Sequence, residues 1–156
     1  MSTHYLNLDW PTLHRDCRAL AGQLLDAGNW SGVVGIARGG LIPAAILARE
    51  MNIRLVDTLC ISSYDDTRQG ELNVLKGMEH DGDGLLLVDD LVDSGNTARV
   101  ACDLLPKATF AAIYAKPAAR ELAHYYAHDI GQDAWINFPW DLDEAQQFIH
   151  PMAGAE

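Results

Sequence analysis

The chain has 156 residues, 49% of them apolar, and a formal charge of −11. That length and composition support one domain with a real core and exclude an intrinsically disordered chain. The acidic balance, with no basic block, excludes nucleic acid as a partner; a phosphate ligand would have to be held by local amides, a few basic residues and a metal ion.

Cys17, Cys60 and Cys102 are odd in number, lack a C-x-x-C pair and sit in apolar settings, so they read as buried free thiols of a reducing compartment. Met1 to Trp10 lacks the charged start and apolar centre of a signal peptide, and no apolar run approaches transmembrane length. The expectation is a cytoplasmic protein.

Asp9 can cap a helix beginning near Trp10 and Pro11. Leu13, Cys17, Leu20, Leu24 and Leu25 recur at helical spacing, and Gly28 closes the helix. Val33 to Ala37 reads as the first buried strand. Arg38-Gly39-Gly40 follows, then a helix from about Leu41 to Glu50. Ile53 to Ile61 is a second β-rich run. Ser62 to Asp83 is a long polar connection, of the kind that is functional or mobile. Leu85 to Val88, behind the Gly82 and Gly84 turn, reads as a strand buried on both faces. Ala98 to Leu105 reads as a helix ended by Pro106, and Ala108 to Ala115 as a strand that stops at Lys116-Pro117.

This alternation predicts an α/β fold, a mainly parallel twisted sheet flanked by helices, with ligands bound beyond the carboxyl ends of the strands. Arg38, Asp89, Asp90 and Lys116 stand at such ends and should converge. Glu121 to Ile130 fits neither period. Trp135 to Trp140, dense in aromatics, reads as an irregular cap over the site. The tail from Asp141 is acidic, with a short helix expected around Glu144 to Ile149. The histidines read as uninformative: His124 and His128 share helical spacing but no third ligand is placed, and Glu79-His80-Asp81 reads as a solvated charge run.

The chemistry concentrates in Leu85 to Thr97. Asp89 and Asp90 are adjacent carboxylates that repel unless a cation or hydroxyls answer them. A capped turn is the plain use of such a pair. A phospho-acceptor receiver domain also places acids at a strand end, but its separate acceptor Asp is missing from Tyr114 to Pro117. Asp93, Ser94, Gly95, Asn96 and Thr97 then open a helix, where outward N–H groups make an anion site. A sugar phosphate carrying a metal ion suits this combination.

These thirteen residues resemble the phosphoribosyl-diphosphate (PRPP) motif of the type I phosphoribosyltransferases. Val34 to Glu50, Val56 to Tyr64, Ala115 to Pro117 and Gln132 to Asp141 resemble, in register, the bacterial xanthine-guanine branch of that family. The resemblance implies the type I fold as one domain over 1–156, with a core of about 30–117 and a small hood from about 118 plus the N-terminal segment. It implies transfer of the 5-phosphoribosyl group of PRPP to N9 of guanine or xanthine, less well hypoxanthine, giving GMP or XMP and diphosphate. Catalysis would rest on Asp93, Asp89 and Asp90. PRPP would be held by Arg38, Gly39, Asp89, Asp90, Leu91, Val92, Asp93, Ser94, Gly95, Asn96 and Thr97, with Mg²⁺ at Asp90.

By the same resemblance Asp93 would exchange a proton at purine N7, although an N-cap is the commoner use of Asp there. Lys116 would donate to the purine O6, Trp135 would stack on the base, and Ile136 would offer backbone groups to the 2-position. A homotetramer and peripheral contact with the inner membrane are also implied. Two departures from the family pattern stand out. Gly70 replaces an Arg that reaches the diphosphate, leaving Arg68 or Lys76 as substitutes, and Asn96 stands where Gly is usual, at a position suited to φ > 0. Two rival readings are a hypoxanthine-guanine preference and a non-catalytic PRPP- or nucleotide-binding regulator of the same fold. The acidic charge and the absence of a DNA-binding segment disfavour the regulator.

Overall fold

The computed structural model describes residues 4–63 and 72–141. Tyr64 to Glu71, which includes Arg68 and Gly70, lies outside the described residues, as does the helix expected near Glu144 to Ile149.

The order is β1 (His4–Asn7), α1 (Trp10–Ala27), β2 (Gly32–Ala37), α2 (Leu41–Glu50), β3 (Val56–Ser63) and β4 (Leu72–Lys76). It continues with β5 (Leu85–Val92), α3 (Asn96–Leu104), β6 (Thr109–Ala115), a short 3₁₀ turn at Arg120–Leu122, β7 (Tyr125–Asp129) and β8 (Ala134–Asn137). Six strands form one sheet in the order β4-β3-β2-β5-β6-β7, and β1 pairs with β8 in a separate parallel ribbon. Only β4 runs antiparallel in the large sheet.

Local chemistry accounts for these elements. Asp9 accepts from the Thr12 N–H at 2.8 Å and caps α1, while Pro11 sits where its missing N–H has no intrahelical partner to lose. The apolar stripe of α1 is buried through Leu13, Cys17, Leu20, Ala21 and Leu24. On β5 the side chains alternate between two cores. Leu86 and Val88 join Leu13, Leu20 and Leu47 of α1 and α2, whereas Leu85 and Leu87 join Ala98 and Ala101 of α3. Period-two alternation inside an unbroken apolar run is how a central parallel strand feeds both layers. Each fully buried Leu contributes roughly 1.5–3 kcal/mol relative to exposure.

Several elements differ from the expectation. The polar connection Ser62 to Asp83 contains β4, a short edge strand whose apolar Leu72, Val74 and Leu75 are too few among polar neighbours to mark it, Val74 and Leu75 being exposed. Glu121 to Ile130 contains β7, so His128 lies on a strand, with His124 just before it, and the two do not share a helical face. The Trp135 to Trp140 stretch is not wholly irregular, because its first residues form β8 against β1, an N-terminal strand that local periodicity does not mark. Of the three free cysteines only Cys17 is buried; Cys60 and Cys102 are half-exposed. His124 is not merely a surface group either, since its Nδ1 accepts from the Phe110 N–H at 2.9 Å.

Chain order reverses between β2 and β5. From β2 the chain crosses to β3 on one side, and from β5 it crosses to β6 on the other. A crevice opens at such a switch point beyond the strand ends.

Candidate active site

β5 is longer than its apolar run, so Asp89 and Asp90 lie within it and not after it. Pairing of β5 with β2 stops at Gly35–Val88, while pairing with β6 continues to Val92–Ala115. The two carboxylates therefore emerge where β2 has peeled away, at the floor of the crevice. Asp89 is 9% exposed and Asp90 half-buried. Each strand N–H is answered locally: Asp90 N–H donates to Asp89 Oδ1 at 2.9 Å, and Leu91 N–H to Asp90 Oδ1 at 2.7 Å. Burial, and then the neighbouring Asp90 charge, push the Asp89 carboxyl well above the usual range. Burial also raises Asp90, with a smaller push from Asp141. One N–H to each carboxyl leaves further acceptor capacity on both acids.

Gly39, in the turn after β2, lies directly over the Asp90 carboxyl. A Cβ there would overlap Asp90 Oδ2 and stand 2.6 Å from Cγ. Only glycine lets the loop close onto the acid. The Ala37–Arg38 peptide just before it is cis. Arg38, Gly39, Leu41, Ile42, Asp90, Trp140 and Asp141 line a cleft of about 740 Å³.

On the other side, Asp89 to Ala98 and Phe138 line a second cleft of about 250 Å³. Its loop turns on Gly95, whose φ of 84° is the left-handed value expected of glycine. Asn96 needs no such conformation; it is the first residue of α3. A side chain at Gly95 would also strike Leu122 Cδ1 at 2.5 Å and Ala119 Cβ at 2.9 Å. The amides that open α3 face this cleft with the positive end of the helix dipole. Arg99 braces the loop by donating to the Ser94 carbonyl at 3.2 Å.

Lys116 follows β6, is 5% exposed, and places Nζ 3.2 Å from Asp93 Oδ2. Two candidates from different strand ends are thereby brought together. Lys76 is not: its Nζ is engaged 2.7 Å from Asp57 Oδ1 and 2.7 Å from the Thr58 carbonyl, toward the opposite end of β3. Trp135 lies on the outer face of β8, 59% exposed, with its Nε1 donating to Asn137 Oδ1 at 3.1 Å. Ile136, on the inner face, is buried in the core beneath α1. The aromatic side chains that wall the two clefts are Phe138 and Trp140, stacked at 4.7 Å. The aromatic density of Trp135 to Trp140 marks the segment, but which ring turns inward depends on the β1–β8 pairing.

Fold and site define a class first: an α/β protein with carboxylates and helix-start amides gathered at a topological switch point, an arrangement suited to a sugar phosphate. A sequence model of the phosphoribosyl transferase domain matches residues 7–147, and the chain belongs to that family. It is 54% identical over 145 residues to a xanthine-guanine phosphoribosyltransferase of Chromohalobacter salexigens, covering 93% of this chain and 88% of that one. It is 51% identical over 150 residues to the same-named protein of Desulfotalea psychrophila, covering 96% and 92%. A purine phosphoribosyltransferase structure from Pyrococcus horikoshii superposes with a TM-score of 0.78 at 26% identity, over 89% of this chain and 95% of that one. No helix among the described residues is long and apolar enough to cross a membrane.

Proposed function

We propose that the chain is a purine salvage enzyme that transfers the 5-phosphoribosyl group of PRPP to N9 of guanine or xanthine, with hypoxanthine a poorer acceptor. The observation that carries this reading is the shared crevice: a buried acidic pair, a helix-start phosphate loop, and Lys116 paired with Asp93. The relatives named for xanthine and guanine support the choice of bases. The unit that performs it is one domain, with a core of about 30–117 and a hood from 118 joined to the N-terminal segment.

In this reading the ribose 2′- and 3′-hydroxyls donate to Asp89 and Asp90, adding to the one backbone N–H that each carboxylate accepts. The Gly95 to Thr97 amides and the Ser94 and Thr97 hydroxyls hold the 5′-phosphate, with Leu91 and Val92 forming the backbone beneath. Arg38 and the Gly39 turn meet the departing diphosphate. Arg68, outside the described residues, is assigned the role of the arginine that Gly70 replaces. As the N9–C1′ bond forms and the C1′–oxygen bond breaks, Asp93 accepts the proton at N7 and Lys116 donates to O6. Trp135 and the Ile136 backbone bound the base.

Magnesium suits the donor set. Asp89 and Asp90 offer only carboxylate oxygen, and no group of three or more His, Cys, Asp or Glu among the described residues is disposed to hold a metal. A small hard cation is commonly held by one or two carboxylates together with substrate phosphates and water. Asp90 would hold it, and its charge would neutralise diphosphate oxygens. A homotetramer and peripheral contact with the cytoplasmic face of the inner membrane belong to the same reading, and sedimentation and vesicle co-pelleting test them.

The deciding experiment supplies PRPP and Mg²⁺ with guanine, xanthine and hypoxanthine in competition. The expected products are GMP and XMP ahead of IMP. A hypoxanthine preference would move the assignment to the rival branch, and tight PRPP binding without product would favour the non-catalytic regulator.

A further inference from the structure

Asp16 belongs to the buried face of α1, with Leu13, Cys17 and Leu20 around it, and is 4% exposed. A carboxylate in such a place is costly unless it is held by polar partners. It has three. Tyr114 donates its hydroxyl to Asp16 Oδ2 at 2.6 Å, His128 Nε2 stands 3.1 Å from Oδ1, and Arg15 reaches Oδ1 at 3.4 Å. None of these four residues takes part in the reaction described above.

The cluster nevertheless leads to the site. Tyr114 is two residues before Lys116 on the same chain segment. Its ring lies 6.0 Å from that of Phe138, which stacks on Trp140. Phe138 walls the cleft of the acidic pair and phosphate loop, and Trp140 walls the cleft of Arg38. His128 stacks on the far side of Tyr114 at 6.1 Å. An apolar ring at 114 could fill the core. The chain instead fixes that ring by a buried hydrogen bond to Asp16, itself held from the surface by His128 and Arg15, which specifies one arrangement and not several near-equivalent ones.

We propose that Asp16 is a positioning residue. Through the Tyr114 hydroxyl it locks the Tyr114 and Phe138 rings and so sets the wall of the cleft that receives the ribose 5-phosphate of PRPP. The inference rests on the PRPP reading above. Because Phe138 shares its cleft with the whole phosphate loop, Ser94 to Thr97, the larger effect falls on PRPP and the smaller on the purine.

The test uses Tyr114→Phe, Asp16→Asn and Asp16→Ala in the full chain, with wild type as the control for the reading itself. Steady-state kinetics give KM for PRPP and guanine, and calorimetric titration with GMP gives a binding constant independent of turnover. Tyr114→Phe is expected to raise the PRPP KM and the GMP Kd about three- to tenfold, the size of one lost hydrogen bond, with the guanine KM within about twofold. Asp16→Asn, which keeps an acceptor for the hydroxyl, should recover most of the binding lost in Asp16→Ala. If Asp16→Ala fails to fold, the split in Tyr114→Phe decides alone. Unchanged PRPP KM and GMP Kd in a folded Tyr114→Phe overturn the inference, as does an equal rise in both KM values. Failure of wild type to use PRPP would instead overturn the functional reading.

Discussion

Gly39→Ala is the sharpest test of how the loop after β2 serves the acidic pair. The added methyl overlaps Asp90 Oδ2 and would lie 2.6 Å from Cγ, whereas carbon contacts are comfortable at about 3.5–4.0 Å. The carboxyl must therefore retreat by about 1 Å. The turn cannot easily move the other way, because Gly40 N–H is bonded to the Ile36 carbonyl at 2.8 Å and Leu41 N–H to the Arg38 carbonyl at 3.1 Å. Rotating the acid gives up its bond from Leu91 N–H, one hydrogen bond to a charged group, worth about 1.5–3 kcal/mol. If that geometry is needed in the transition state, kcat/KM for PRPP falls about 10- to 150-fold. The same lost bond caps the destabilisation at about 3 kcal/mol, and solvation of the carboxyl as it turns into the open cleft offsets part of it. Kinetics paired with urea unfolding separate the two quantities. A folded Gly39→Ala enzyme with kcat/KM within about twofold of wild type would refute the argument.

Lys116→Ala should erode the preference for 6-oxopurines over adenine by about tenfold or more, measured as the ratio of kcat/KM values, because a buried donor to O6 is lost. Asp93→Asn should lower kcat by about 10²-fold while leaving the PRPP KM within about threefold, as expected of a proton acceptor. Alkaline unfolding supplies a prediction of a different kind. Burial pushes the Cys17 thiol from its ordinary 9.0 up to about 12, so the folded state keeps a proton that the unfolded chain releases. This stability is full below pH 9 and is lost as pH rises from 9 toward 12, about 1.4 kcal/mol of it by pH 10. Cys17→Ala should flatten that slope in urea titrations at pH 8, 9 and 10, leaving a weaker decline from Tyr114, which burial and Asp16 also raise. A slope unchanged by the substitution would show that Cys17 does not carry it.

The parts of the molecule legible in the sequence are those specified by their own residues. β5 announces itself because Leu85 to Val88 is apolar without interruption, and α2 because Gly39 and Gly40 precede it and Pro43 falls in its first turn. The loop Asp93 to Thr97 is readable as a phosphate site because helix starts expose amides whatever surrounds them. What is not legible is decided by partners far along the chain. β1 is a strand only because β8 lies beside it, 130 residues away. The same pairing turns Ile136 and Ala134 inward and Trp135 outward. His128 looks like a surface residue until β7 carries it to the edge of the sheet, where Asp16 from α1 awaits it. Gly39 stands in the sequence as a glycine between a strand and a helix, and nothing local shows that the Asp90 carboxyl lies against it.

The electrostatics of the site follow from the same separation of local and distant causes. A chain of −11 charge repels an anion at long range, and the crevice adds to this with two buried acids and Asp141 nearby. Yet the repulsion between exposed charges is screened beyond about 8 Å at physiological salt. At contact distance the proposed ligand would meet Arg38, Lys116 and the open amides of α3, none of which needs a favourable net charge. The raised carboxyls then act as a selector. A ligand that brings only phosphate leaves the acids unanswered, whereas one that brings hydroxyls or a divalent cation along with its phosphate relieves them. On the proposed reading, an acidic protein with this crevice would prefer a sugar phosphate carrying a divalent cation over free phosphate, and the preference would come from the very groups that make its overall charge unfavourable.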